Sequence, residues 1–464
     1  MIKISLKEFA LLLGYEYQGE DDIFFNKVVL DSRKIEAGDL FVAIKGETTN
    51  GHQYISKAIE KGGVGVVSLG GEDIILEKTN TLTDKKADTL EDFFYKTAKI
   101  IRKRVKSKVI GITGSAGKTT TKDMLYAVLK KEYDVVKTEG NLNNELGLPM
   151  TMSKANEKTD YMILEMGMRG LGEISYLVQI SGADYGIITS IEPVHAELLG
   201  SIENIAKAKA EIAESIPTNG CLIISYKDKD ILKPYLKDLK GKLITVGFSK
   251  NADYYIKEII SEKENFTEFI LKNKNDERKI KINTPGRQNV QNAALVCALG
   301  DFINIKEESF SGLMDVEFSE MRFNIKEVSE VKIINDAYNA NPAATCFSLE
   351  SMGKVTGERK LFVFADMFEL GDYEKVGHEQ VAIKALEVGV DYIFLLGKNI
   401  AYTYDKLKEI NYNMDHVFKF EEKSNLLEKL KETIQKKDVI LLKGSRGMHL
   451  EEIDKDIKEY LNVL

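Results

Sequence analysis

Between Val109 and Leu125 the chain reads VIGITGSAGKTTTKDML: a β-branched apolar run, a glycine-rich turn, then Lys118 and Thr119 opening a helical pattern. A turn of this composition suits an anion. Gly114 and Gly117 permit backbone conformations closed to other residues, so N–H groups of Gly114, Ser115, Ala116, Gly117 and the first helical residues through Thr120 can face one point, where the helix adds its positive end. Lys118 then meets outer phosphates, and the Thr119 hydroxyl offers an oxygen to Mg²⁺. Ile112 stands where the generic P-loop begins with glycine, and Gly111 lies one residue earlier. The signal is a variant P-loop, with a chance glycine turn as the alternative.

Five other places carry chemistry. Glu165 closes the apolar run YMIL, and a carboxylate there holds Mg²⁺ directly or through water, because hard cations take oxygen ligands. His195, in IEPVHAELLG, has two readings, a second metal ligand or a hydrogen-bonded loop residue. On the helix that follows, at about 100° per residue, Ile202, Ile205, Ala206, Ile212, Ala213 and Ile216 share one face with Lys209 at its centre. Lys207, Glu203, Glu211 and Glu214 fall on the polar side. A lysine so placed snorkels, pairs, loses its proton or is chemically modified. As a neutral amine it can add CO₂, and the carbamate turns a group that repels Mg²⁺ into an oxygen ligand for it. Asn289 and Asn292, opening the helix in TPGRQNVQNAALVCAL, present the paired donor and acceptor that suit the edge of adenine; helix capping competes for Asn289. Arg322, in MRFNI, is placed to offset phosphate charge, with a surface salt bridge as its other role.

The elements that must position these groups alternate between strand and helix. The helical pattern LEDFFYKTAKIIRKRV leads into the P-loop strand, and the alternation to about residue 316 predicts a parallel sheet covered by helices. Lysine-rich KNKNDERKIK reads as a solvated hairpin or loop. Beyond it, strands near VKIIN, KLFVFA, YIFLLG and DVILLKG form a second doubly wound unit. Polar residues follow the strands: Glu165, the loop to His195, Asp336, Asp366, and then Lys443, Ser445 and Arg446. Ligands of open α/β sheets sit beyond the carboxyl ends of the strands, so these residues stand at the binding edge, although any single one could be a helix cap or loop residue. The first segment mixes short apolar runs with turn-rich DSRKIEAGDLFVAIKGETTNGHQYI and ends in EKTNTLTDKKADT, which reads as a linker. The expectation is an α/β chain of three domains: a smaller N-terminal α/β domain over 1–87, a central P-loop sheet with helices on both faces over 88–316, and a C-terminal doubly wound domain over 317–464.

Composition narrows the function classes. The chain has 464 residues, enough for several cores, and 65 Lys and Arg against 73 Asp and Glu give a formal charge of −8. With no basic block interleaved with aromatics, nucleic acid is not expected as a partner. Cys221, Cys297 and Cys346 are far apart and read as free thiols of a reducing cytosol. No leader with a cleavage site and no apolar stretch of about eighteen residues is present, so a cytoplasmic protein without membrane insertion is expected.

The motifs DSRKIEAGDLFVAIKGETTNGH, TGSAGKTT, NLNNELGLP, LEMGMRGLGEI, the His195 to Lys209 stretch, NDAYNANP and FADMFELGDYEKVGHEQV resemble those of the Mur ligases of peptidoglycan synthesis over nearly the whole length. Asn339, Ala340, Asn341 and Pro342 stand where the branch adding the third amino acid usually has His-Thr-Pro-Asp, and its D-N-P-R motif is missing, which favours the dipeptide-adding branch. The resemblance implies an ATP- and Mg²⁺-dependent amide ligase of cell-wall synthesis, hence of cell shape and division. It would join D-Ala-D-Ala to a UDP-N-acetylmuramoyl-tripeptide through an acyl phosphate, acting as a monomer. The N-terminal domain would take the UDP-sugar, and the C-terminal domain would swing in to complete the ATP and dipeptide sites. By the same resemblance Lys118, Lys209, His195 and Arg322 are catalytic, with Lys209 carried as N6-carboxylysine, and Thr119, Glu165, His195 and Lys209 hold metal. Asn289, Asn292, Arg322, Asp336 and Tyr338 contact the nucleotide. Substrate falls to Ser32, Arg33, Gly46, Asn141, Asn143, Asn144, Asn339, Asp366, Glu369, Lys443, Ser445 and Arg446. Two positions depart from the family pattern: Ala365 replaces a glycine and Asn335 an acidic residue. A folylpolyglutamate synthase would share the ATPase core but not the first segment, and a P-loop switch would hydrolyse ATP without needing an acid and an amine.

Overall fold

The computed structural model describes residues 4–46, 49–70, 79–86, 88–193, 196–319 and 321–463. His195 lies outside the described residues. Three sheets follow one another along the chain.

The first sheet runs Glu16–Gln18, Thr81–Thr83, Gly65–Ser68, Leu40–Ala43, Val28–Val29 from edge to edge, antiparallel in its first pair and parallel in the rest. Its second strand corrects the reading of EKTNTLTDKKADT as a linker. Thr81 and Leu82 are buried, and buried Asp84 ends the strand by accepting the Lys86 amide at 2.8 Å. Threonine flanking one leucine fits a pleated surface, so a segment polar in composition still pairs once Gly65–Ser68 supplies an edge. Helix Leu90–Arg104 starts in a capping box of Thr89 and Asp92 and buries Phe93, Phe94, Thr97, Ala98 and Ile101.

The central sheet has nine strands in the order Glu277–Ile282, Phe266–Lys272, Tyr254–Lys263, Lys242–Gly247, Cys221–Ser225, Tyr185–Ile188, Lys108–Thr113, Tyr161–Glu165, Val135–Lys137. Alternate residues of the P-loop strand feed different cores: Val109 packs with Leu164, Ile188 and Leu222 on one face, Ile110 and Ile112 with Ile163, Ile187 and Ile223 on the other. Both faces are thus apolar and helix-covered, as a parallel sheet requires. The chain leaves Lys108–Thr113 for one side and returns at Tyr185 on the other, so the switch point of the sheet lies over the glycine turn. The expected all-parallel sheet is corrected at one end, where Tyr254–Lys263, Phe266–Lys272 and Glu277–Ile282 pair antiparallel. Thr267, Phe269 and Leu271 alternate inward while their neighbours face outward, which suits an arm with one wet face. The lysine-rich stretch is the tip of that arm.

The third sheet runs Asn324–Val328, Val331–Asn335, Asp438–Lys443, Arg359–Ala365, Tyr392–Leu396, Val417–Phe420, parallel after its first pair. Its four inner strands are those the sequence announces; the two edge strands, polar Asn324–Val328 and four-residue Val417–Phe420, were not expected. The three cysteines are free. Among the described residues no helix is long and apolar enough to cross a membrane.

Candidate active site

The glycine turn is formed as its composition demands. Gly114 and Gly117 have φ of 145° and 84°, and a Cβ on Gly114 would lie 2.0 Å from Thr189 Oγ1, one on Gly117 2.8 Å from Asn292 Oδ1. Not all the turn amides face a ligand, however. Ser115 N donates to Ser190 O at 2.9 Å and Ala116 N to Ser190 Oγ at 3.1 Å, so the anion-facing donors are the unpaired amides opening helix Lys118–Leu129. Lys118 is folded back, its Nζ donating to Gly114 O at 2.6 Å. Gly117→Ala is expected to weaken ATP binding at least about tenfold, about 1.4 kcal/mol, without unfolding the protein; calorimetric titration beside a melting curve checks this.

Beyond Lys118 lies a charged cluster. Glu165, last residue of its strand, accepts from Thr119 Oγ1 at 2.9 Å and from Asn143 Nδ2 at 3.0 Å. Arg322 Nη2 reaches Thr119 Oγ1 at 3.3 Å, its guanidinium lies 4.0 Å over the Tyr338 ring, and its buried Nε has no hydrogen-bond partner among the described residues. Lys209 enters from helix Ile202–Ala210 and is 3% exposed, with no hydrogen bond or ion pair among the described residues. Burial, and then the charge of Lys118, hold its amine well below the ordinary lysine range. Lys118 is lowered by burial too, with Glu165 opposing and Arg322 adding to the shift. Lys209 does not snorkel to the outer surface: the residue is 3% exposed and its side chain borders a cleft.

Two cavities meet here. A cleft of ≈ 1280 Å³ is lined by Lys118, Glu165, Lys209, Arg322, Asn141, Asn143 and Asn144 on the central side and Tyr338, Asn339, Glu369, Ser445 and Arg446 on the C-terminal side. A second space of ≈ 100 Å³ lies across the turn, lined by Gly117, Thr120, Asn289, Asn292, Asp336 and Lys443. Arg322 borders both.

Family profiles match in three places: the Mur ligase middle domain over 112–300, the Mur ligase glutamate ligase domain over 321–446, and the Mur ligase family catalytic domain over 25–87. The UDP-N-acetylmuramoyl-tripeptide–D-alanyl-D-alanine ligase of Bacillus subtilis is 37% identical over 99% of this chain and 99% of that protein. The chain belongs to the Mur ligase family. The Escherichia coli protein of the same name is 30% identical, with 99% of each chain covered. Among solved structures, MurF from Acinetobacter baumannii superposes with a TM-score of 0.81 at 25% identity, covering 98% of both chains. MurF from Thermotoga maritima, solved with ADP, gives 0.78 at 24%, covering 96% of this chain and all 100% of that one.

Other residues expected of a Mur ligase are brought to the site unequally. Ser32, Arg33 and Gly46 do not line the cleft; Ser32 is buried in a short 3₁₀ turn, and the Arg33 guanidinium folds onto Asp31 at 2.9 Å. Asn289 spends its amide on Pro285 O at 2.7 Å and Thr284 Oγ1 at 3.2 Å, which favours the competing structural role, while Asn292 stays against Gly117. Asp336 is occupied by Phe323 N at 3.1 Å, by Ser348 and by Lys443 at 2.8 Å. Lys443 also donates to the carbonyls of Asp336 and Asn339, so here it ties loops together beside the smaller space. Both Asp366 oxygens accept backbone amides, from Lys398 and Ile400 at 2.9 Å each, and its carbonyl accepts from Ser445. Its position shapes the Ser445 loop, and both of its carboxylate oxygens are engaged by backbone. The two family departures have structural partners. Asn335 donates to Asp454 at 2.9 Å, where an acid would meet a second carboxylate, and Ala365 fits because nearby Gly444 has no side chain, a Cβ there lying 2.7 Å from that of Ala365. Tyr95, Arg169, Tyr176 and Phe368 also line the cleft, and Gln288 and Phe347 the smaller space. Arg169, Phe368 and Gln288 fall within motifs quoted above, but none of these residues was given a role, since each is an ordinary surface residue until the domains are set side by side.

Proposed function

We infer that this chain is an ATP-dependent ligase joining D-Ala-D-Ala to a UDP-N-acetylmuramoyl-tripeptide, with release of ADP and phosphate, in cytoplasmic peptidoglycan precursor synthesis. The observation that carries the reading is the place of Arg322 between two cavities, one bordered by the glycine turn and the asparagine-bearing helix, the other open and wide enough for a sugar-peptide. A nucleotide on the first side would present its terminal phosphate to an acceptor on the second. The smaller space is below the size of a nucleoside site, so its C-terminal wall must give way when ATP enters.

The obstacle in the first step is charge: an anionic carboxylate must approach a polyanionic phosphate. Lys118, released from Gly114 O, and Arg322, whose buried Nε lacks a partner among the described residues, are the donors that would offset it. Oxygen attack on the γ-phosphorus breaks its bond to ADP and gives the acyl phosphate. In the second step the dipeptide amine attacks the acyl carbon, phosphate leaves with the C–O electron pair, and the amine loses its proton. An α-amino group has a pKa of about 7.7 to 8.0, so about a tenth is neutral at pH 7 without a strong base. Closure of the C-terminal unit over the cleft would keep water from the acyl phosphate.

The donors around Glu165 fit Mg²⁺. Thr119 and Glu165 present hard oxygens beside the phosphate donors, with Lys209 on the same cleft. Among the described residues no group of three or more His, Cys, Asp or Glu side chains is placed to hold a metal ion, so a further oxygen ligand has to come from elsewhere. A carbamate on Lys209 would supply it. Bound there, Mg²⁺ would contribute charge neutralisation at the transferring phosphoryl group. In this reading residues 1–87 serve the UDP-sugar, 88–316 the ATP and 317–464 the dipeptide end, in a monomer.

The test is phosphate release. With ATP, the UDP-tripeptide and D-Ala-D-Ala together, stoichiometric phosphate and UDP-pentapeptide are expected, and ¹⁸O from the labelled carboxylate should appear in the phosphate. Equal phosphate release from ATP alone would point to a nucleotide switch.

A further inference from the structure

Arg322 belongs to a stretch gripped on both sides and strained between the grips. On the central side the Asp123 carboxylate, 1% exposed, accepts from Ser319 N at 3.0 Å and Ser319 Oγ at 2.8 Å through Oδ2. Its other oxygen takes Lys137 Nζ at 2.7 Å and lies 3.5 Å from Lys122 Nζ, a fully buried atom with no hydrogen-bond partner among the described residues. On the C-terminal side Asp336 Oδ1 accepts the Phe323 amide at 3.1 Å. Between them Met321 and Phe323 have φ of 56° and 50°, a left-handed conformation that side chains bearing a Cβ adopt only when their surroundings impose it.

The central grip is aligned with the chemistry. Thr119 and Asp123 are four residues apart on helix Lys118–Leu129 and so share a face. Thr119 receives Arg322, and Asp123, one turn on, receives Ser319. The chain entering the C-terminal unit is therefore laid along the P-loop helix and held at two successive turns. A buried carboxylate between two lysines is a costly group to keep unless it is fully paired, and here its second oxygen is given wholly to Ser319.

We propose that Asp123 and Ser319 form a positioning pair that holds Arg322 at the phosphate site. The proposal rests on the reading above only in taking Arg322 to meet the phosphates. Asp123 touches no substrate; it acts through Arg322, by fixing the start of a strained stretch that would otherwise relax and draw the guanidinium away. Pre-set placement of a charged donor is the kind of contribution lost when a supporting contact is removed far from the reacting atoms.

A double-mutant cycle tests it. Ser319→Ala deletes one of the two bonds and Asp123→Asn the charge, each made in the natural protein and in Arg322→Ala. In the natural background Ser319→Ala is expected to lower kcat about tenfold while KM for the UDP-tripeptide stays within about twofold. In Arg322→Ala the same change should cost less than about twofold, because the group it positions is gone. The cycle is also read in the ATP dissociation constant, where about fivefold weakening should likewise vanish in Arg322→Ala; that readout needs no turnover, so failure of the ligase reading and failure of this proposal are told apart. Full activity and ATP affinity in Ser319→Ala, or equal losses in both backgrounds, would overturn it. Should Asp123→Asn fail to fold, the Ser319→Ala cycle decides alone.

Discussion

Lys118→Ala is expected to lower ligase turnover about a thousandfold while binding of the UDP-tripeptide stays within about twofold. The argument is electrostatic. Lys118 is buried, and its Nζ is held by the Gly114 carbonyl at 2.6 Å, at the lip of the cradle and beside Glu165 and Arg322. Burial lowers its pKa and Glu165 only opposes that shift, so the folded protein keeps a cation there at a cost that an arriving anion would offset further. Removing one donor aimed at developing charge typically costs about 10² to 10³ in rate, and this donor also brings a unit charge. UDP-substrate binding should survive because Asn141, Asn143 and Asn144 hold their places without it; Asn143 is fixed by Glu165 and Asn144 accepts the Gly147 amide. Stability should not fall, since the only described bond lost is the one to Gly114. Single-turnover phosphate release beside calorimetric titration of the UDP-substrate measures both arms, and a variant keeping a tenth of the rate would shift phosphate neutralisation to Arg322.

What the sequence disclosed was local, and what it hid was contact across the chain. The glycine turn was legible because φ restrictions act within a few residues, and Gly114 and Gly117 do take positive φ. The burial of Lys209 was legible because 3.6-residue periodicity places a side chain without knowing its neighbours. That face survived even though the α-helix ends at Ala210 and continues as a 3₁₀ turn through Ser215, since Ile212 and Ala213 stay buried. Strand ends were legible as the binding edge, but not which way each polar group turns there. Asp366 points to the amides of Lys398 and Ile400 and Asp336 to Phe323, Ser348 and Lys443, most of them partners far off in sequence. Composition misled at Thr81–Thr83, where a polar segment becomes a strand only because an edge is offered to it. The same holds for Asp123: nothing near it in sequence foretells Ser319.

Lys209→Ala is expected to lower turnover at least about a hundredfold and to be partly rescued by a short carboxylic acid such as formate or acetate. As an amine this side chain has no favourable role where it stands. It shares the cleft with Lys118, and the only resolved influences on it, burial first and the Lys118 charge second, both disfavour its protonated form. Both push the side chain toward the neutral, nucleophilic amine, the form that adds CO₂. As a carbamate it would become an anion beside Lys118, reversing the sign of that interaction and adding an oxygen to the set begun by Thr119 and Glu165. A pKa lowered on folding means that the unfolded chain binds the extra proton, so the stability of the unmodified protein should rise with pH from the depressed value up to the ordinary lysine range, and Lys209→Met should flatten that slope. Carbamylation makes two further demands that a merely buried lysine does not: activity should fall in CO₂-depleted buffer and return with bicarbonate, and the alanine variant should ignore bicarbonate while responding to added acid. Full turnover in Lys209→Ala, or indifference of the natural protein to CO₂ removal, would leave the buried amine as packing and send the missing metal oxygen back to the loop that carries His195.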